Sequence, residues 1–124
     1  MAFTYDETLA TDRDKVRFRT GDTQQTAGPR PDKRNFSDAE IAAVLDDEDD
    51  RVNGAIASIF ETLASEWTAW ALVDKEGEAQ IDAKEVAKGY REQAKIWRAK
   101  PGGSSEAGRS GSIVKMTRKD AYSG

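Results

Sequence analysis

Residues 51–73 read RVNGAIASIFETLASEWTAWALV. Val52, Ile56, Ile59, Phe60, Leu63, Trp67 and Trp70 recur there mostly at steps of three and four residues. That spacing gathers them on one side of a helix with 3.6 residues per turn. At 1.5 Å per residue the helix spans about 35 Å. Such a wide apolar stripe is stable in water only when other elements cover it. The segment is therefore expected to be the spine of the fold. Gly54 costs it some helix stability and permits a close approach from a neighbour.

On the N-terminal side, Asp46-Asp47-Glu48-Asp49-Asp50 reads as a solvated turn. It also places negative charge at the start of the spine, where the helix dipole favours it. Before it stands Phe36-Ser37-Asp38-Ala39-Glu40-Ile41. Ser37 and Glu40 have the spacing of a capping box, in which hydroxyl and carboxylate each take the other's backbone amide. Phe36 and Ile41 have the spacing of a hydrophobic staple around that cap, and Val44 and Leu45 extend the apolar face. Residues 22–35, with Gly28, Pro29 and Pro31 among polar neighbours, read as a loop. Thr11 with Asp14 marks one more helix start, Val16 and Phe18 follow, and Gly21 marks its end.

On the C-terminal side, Asp74 to Ile81 with Gly77 reads as an interhelical loop. A further helix is expected from about Ala83 to Ala99, with Asp82 and Glu85 in the cap-and-acid spacing. Val86, Tyr90 and Trp97 mark its apolar side, with Ala87, Ala94 and Ile96 nearby. Pro101-Gly102-Gly103-Ser104-Ser105 ends it, and the Gly/Ser-rich stretch to Ser112 reads as a flexible linker. Ile113, Val114 and Met116 then form a short, β-prone, apolar segment beside Lys115, Arg118 and Lys119. Such a segment packs no core alone and reads as an arm that docks on a neighbour by strand addition.

The expected fold is all-α: a small bundle of about four helices around one long spine, with an extended C-terminal arm. Residues 1–100 would form the helical domain and 101–124 the linker and arm. Phe36, Ile41, Ile59, Phe60, Leu63, Trp67, Trp70, Tyr90 and Trp97 are expected in the core or a subunit interface.

The chain has 124 residues, no Cys and no His. Disulfides, thiolate metal sites and imidazole chemistry are thereby excluded, and with imidazole go the usual general base and the Ser-His and Cys-His nucleophile pairs. No catalytic residue, metal ligand or cofactor site is expected, and the chain is read as a binding protein and not an enzyme. No run of eighteen apolar residues is present, so no membrane span is expected. The opening Met1-Ala2-Phe3-Thr4-Tyr5-Asp6-Glu7 lacks a basic and an apolar region, which argues against a secretory signal. The net charge is −4. The last residues, from Pro101 on, are net basic, so the first hundred are more acidic than the whole. An acidic body disfavours wrapping nucleic acid.

One motif opens an alternative. Asp74, Glu76, Glu78, Ile81 and Glu85 fall at the positions of a calcium-binding EF-hand loop. Glu replaces the shorter acids at the third and fifth places, and Ala79 replaces the glycine of the sharp turn. Calcium binding is not expected, but a small calcium- or ligand-responsive helical protein using residues 74–85 is the alternative reading. A second such frame from Asp49 fails at Arg51 and Phe60, where ligands are needed.

Taken in order, several stretches resemble the head–tail connector, or adaptor, proteins of long-tailed double-stranded DNA bacteriophages. They are Thr4-Tyr5-Asp6, Leu9-Ala10-Thr11-Asp12, Lys15-Val16-Arg17-Phe18, Gly21-Asp22-Thr23 and Phe36-Ser37-Asp38-Ala39-Glu40-Ile41. An Ala-rich long helix, Tyr90 in a Tyr-Arg-Glu-Gln-Ala setting and a Gly-rich tail with a short apolar strand complete the order. The resemblance implies a structural virion protein of the neck, at the head–tail interface after assembly in the host cytoplasm. It implies a homo-oligomeric ring, usually of twelve copies, below the portal protein. Such a ring extends the channel through which double-stranded DNA passes without specific binding, and it joins the capsid to the next neck or tail-completion protein. The arm, Ile113, Val114, Lys115, Met116, Arg118 and Lys119, would dock on the portal or on an adjacent subunit. The acidic body suits a channel wall that repels DNA.

Overall fold

The computed structural model describes residues 2–73 and 77–104, with the backbone alone for 77–81. Four helices run through them: α1 (Asp12–Thr20), α2 (Asp38–Asp47), α3 (Val52–Val73) and α4 (Gly77–Ala99). The described residues contain no strand. The fold is a small all-helical bundle in which α1, α2 and α4 each pack on α3.

The helix ends follow local chemistry. Thr11 caps α1 by accepting the Asp14 amide at 3.2 Å, and Asp14 accepts the Thr11 amide in return. Gly21 ends α1 in the left-handed region at φ 79°, a conformation that a side chain disfavours. Ser37 and Glu40 close the second capping box at 3.1 and 2.7 Å. Phe36 and Ile41 are both buried in the same apolar cluster. After α2 the acidic run turns sharply. Asp49 and Asp50 both take positive φ, which Asp tolerates better than most residues, and the Asp50 amide donates to the Leu45 carbonyl at 2.7 Å.

The spine buries Ala55, Ile56, Ile59, Phe60 and Leu63 against Val16, Phe36, Ile41 and Leu45. Its other buried positions include Ala57, Ala64 and Ala71, seven residues apart. Ala83, Ala87 and Ala94 are buried on α4. Small side chains along both helices let α3 and α4 approach closely, and theirs is the most extensive helix pair. The pair is antiparallel: Asn53 bonds the Pro101 carbonyl, Arg98 bonds Glu61, and Arg91 bonds Thr68. Tyr90 stacks on Phe60 at 5.7 Å between ring centroids. Gly54 faces the Glu48 carboxylate and the Gly102 carbonyl, where a Cβ would stand 2.6 and 3.1 Å from them.

Two expectations need correction. Helix α4 begins at Gly77 and not near Ala83, so it has 23 residues against 22 in α3 and is the longer of the two. Ile96 is half exposed, because it stands 100° around the helix from Trp97 and misses the seam with α3. Pro101 and Gly103 are tied to the helical body by their carbonyls, which accept from Asn53 and Arg98, each at 2.9 Å.

Candidate functional site

Two features stand out: a buried polar network under the N-terminal segment, and a groove along α3 and α4.

The network centres on Arg17, which is fully buried. Its position on α1, one residue after Val16, points it into the space between the N-terminal segment, the 22–35 loop and α2. Its guanidinium pairs with Asp22, donates to Asp38 at 2.9 Å and donates to the Thr4 carbonyl at 2.9 Å. The Phe3 ring lies 4.3 Å away on its face. Asp22 accepts further bonds from Asn35 at 2.6 Å and from the Phe36 amide at 3.1 Å. Asp38 takes both the amide and the hydroxyl of Thr4, at 2.8 and 2.7 Å. Burial alone would raise the Asp38 carboxyl. The Thr4 and Arg17 bonds outweigh it and hold the group below its ordinary value. Asp14 is lowered likewise: burial opposes, and bonds from the Asp6 amide and from Thr11 prevail. Arg17, Asp22 and Asp38 are thus paired and hydrogen-bonded, and Asp14 is hydrogen-bonded, as burial requires. Arg13 flanks Asp38 at 3.8 Å with its Nε lacking a hydrogen-bond partner among the described residues, while the bonds of Arg17, Asp22 and Asp38 are spent on holding the fold.

A second cation ties the loop to the bundle. Arg30 donates to Glu66 at 2.9 Å and to Glu40 at 3.2 Å, and stacks 4.6 Å from the Phe36 ring. The Trp67 indole donates to the Pro29 carbonyl at 2.9 Å. On the far side Arg98 donates to Glu48 at 2.9 Å and to Glu61 at 3.0 Å, and these bonds raise its pKa further.

The groove is open and has a volume of about 900 Å³. Ala64, Ala69, Leu72 and Ala94 supply its apolar surface, while Arg91 and Lys95 stand along its α4 wall. Adjoining the groove across Ala69 is a smaller hollow beside Trp70 and Val73. Trp70, Leu72 and Val73 are 42, 66 and 72 % exposed, which leaves the end of α3 apolar and open to solvent among the described residues.

Of the expected core or interface residues, Phe36, Ile41, Ile59, Phe60 and Leu63 are buried, and Trp67, Tyr90 and Trp97 pack half-buried against them. Trp70 lies on the surface, so only the interface role stays open to it. Ile113, Val114, Lys115, Met116, Arg118 and Lys119 lie outside the described residues, as do Asp74 and Glu76. Residues 77–85 are helix, which removes the tight loop that an EF-hand frame requires. Among the described residues no group of three acidic side chains is placed to hold a metal ion, and no helix is long and apolar enough to cross a membrane. Sequence reading missed the basic residues of α4, although their order in the chain signals them: Lys84, Lys88, Arg91, Lys95 and Arg98 follow at steps of four and three.

No family model, no curated protein and no solved structure matches this chain.

Proposed function

We propose that this chain is a structural protein of a phage neck: a head–tail connector that forms a ring below the portal, extends the DNA channel and joins the capsid to the next neck or tail protein. One observation carries this reading. The separate stretches on which the resemblance rests converge in space. Thr4, Arg17, Asp22 and Asp38 belong to four of those stretches, and all four meet in the single network around the buried Arg17. Residues that must fit one another to bury an arginine form one structural unit, so their order in the chain is less open to coincidence than four loose motifs would be.

Two further features support a binding role. The end of α3 presents Trp70, Leu72 and Val73 to solvent beside the groove, and contiguous exposed apolar surface of that kind marks contact with other proteins. The segment after Ser104 combines Gly and Ser with Ile113, Val114 and Met116, a composition suited to an arm that orders on a neighbour.

The test is to locate the chain in the particle. A tagged copy, labelled with gold and imaged in purified virions, should mark the head–tail junction, and a phage lacking the gene should accumulate DNA-filled heads without tails. Label elsewhere in the particle, or tailed virions at normal yield from the deletion, would overturn the reading.

A further inference from the structure

Helix α4 shows three faces. Ala83, Ala87, Tyr90, Ala94 and Trp97 turn towards α3. Lys84, Lys88, Arg91, Lys95 and Arg98 form a second row beside them, running about 21 Å along the helix. Glu85, Glu92 and Ile96 form a third row on the other exposed side, and Ile96 is 50 % exposed.

The basic row is poorly compensated. Arg98 is paired, and among the described residues Arg91 reaches the neutral Thr68 hydroxyl at 3.2 Å and no carboxylate. No ion pair among the described residues engages Lys84, Lys88 or Lys95. Like charges three and four residues apart repel along a helix, while Glu85 and Glu92 stand one turn from Lys88 and Lys95 without closing an ion pair on them. Arg91, Lys95 and Arg98 of this row also wall an apolar groove, and Lys88 continues the row beyond it; the α3 side of the groove offers Ser65, Ala69 and Leu72 and no carboxylate except Glu61 at one end. A ligand that fits must bring both carboxylates and apolar atoms. A nucleic-acid backbone brings charge without apolar cover, and it would meet the acidic row on the same helix. The net-basic stretch after Ser104 has the wrong sign.

The matching surface lies on this chain. Glu85 and Glu92 are seven residues apart, as are Lys88 and Lys95, so both pairs repeat at about 10.5 Å on a helix. Ile96 follows Glu92 by one turn and supplies apolar atoms that match the groove's apolar surface. Neither Glu85 nor Glu92 takes part in an ion pair among the described residues.

We infer that the Glu85–Glu92–Ile96 row of one copy docks in the basic-walled α3–α4 groove of the next. The two surfaces are neighbouring strips of the same helix, so each copy gives one and receives one. That is a heterologous, head-to-tail contact, which builds a closed ring or an open chain. It rests on the assembly reading above, for which it supplies the subunit contact.

Charge exchange tests it with the full chain. Sedimentation velocity of the wild type should show concentration-dependent association that weakens as salt rises. Lys88→Glu with Lys95→Glu should weaken association by at least about tenfold, and so should Glu85→Lys with Glu92→Lys, since like charges then face each other across the contact. An equimolar mixture of the two variants should associate again, because each restores the sign its partner lost. Lys33→Glu, an exposed reversal elsewhere, should change nothing. Circular dichroism checks that each variant is folded. A monomeric wild type, or folded variants that associate like the wild type, or a mixture that stays dissociated, overturns the inference. The assembly reading is judged separately, by whether the chain sits at the head–tail junction of particles.

Discussion

Arg17 and Asp22 stand on either side of the Gly21 helix cap and pair with each other in full burial. The turn that ends α1 therefore also closes a charge pair. Asp22 in addition receives Asn35 and the Phe36 amide, so the pair fixes where the 22–35 loop leaves α1 and where it rejoins the bundle before α2. A buried ion pair adds little net stability over apolar packing, but removing one member strands the other in a medium that solvates it poorly.

Asp22→Ala is accordingly expected to cost about 3–5 kcal/mol, the range for breaking a buried pair. Urea denaturation followed by circular dichroism measures it. A loss below about 1 kcal/mol, the size of one exchanged hydrogen bond, would mean that the network is peripheral to the fold.

Acid should destabilise the protein through Asp14 and Asp38. Both carboxyls are lowered in the folded state, where bonds from neighbouring amides, hydroxyls and Arg17 outweigh burial. The unfolded chain therefore binds protons first as pH falls. The stabilisation is complete above the unfolded value, near pH 4, and is lost as pH drops from there through the folded values. Stability measured in urea should be flat from about pH 5 to 7 in this respect and fall steeply below about pH 4. Asp38→Asn should flatten part of that fall. An unchanged slope in this variant would remove Asp38 from the explanation.

Trp67 combines packing against the core with one hydrogen bond to the Pro29 carbonyl. Trp67→Phe keeps most of the ring and removes the bond, for an expected cost of about 0.5–1.5 kcal/mol. Trp67→Ala should cost about 3 kcal/mol, the lower end for aromatic truncation because the ring is only half buried. Thermal melts rank the two. Hydrogen exchange in residues 22–35 should rise in both, and protection equal to wild type would show that the indole does not anchor the loop.

Two truncations separate the arm from the body. Removing residues 105–124 should leave helical signal and melting temperature nearly unchanged, yet prevent attachment to portal-bearing heads. Removing residues 101–124 also deletes the carbonyls that Asn53 and Arg98 bond, and should cost a further 1–3 kcal/mol or so. If the shorter truncation still supports tailed particles at normal yield, the arm has no docking role.

Much of this architecture is local, and local signals are legible in sequence. The Ser37–Glu40 and Thr11–Asp14 boxes are each decided within four residues, and Gly21 ends α1 for a reason of its own backbone. The spine follows from the period of its apolar residues, and the buried set Ile56, Ile59, Phe60 and Leu63 is the one that period selects. The start of α4 was less legible, since Gly77 in an acidic stretch reads as a breaker when the flanking helices are not known to pack together.

What only the tertiary structure decided is where the charges go. Arg17, Arg30 and Arg98 look in sequence like solvated surface residues, because arginine mostly is one. Their partners are Asp38, Glu66 and Glu48, each many residues away and brought close by the folding of other segments. The two exposed rows of α4 have the same origin. Periodicity sets which residues share a face, but only the position of α3 determines which face is covered and which is left for a neighbour. Burial is a property of the whole packing, and no window of a few residues contains it.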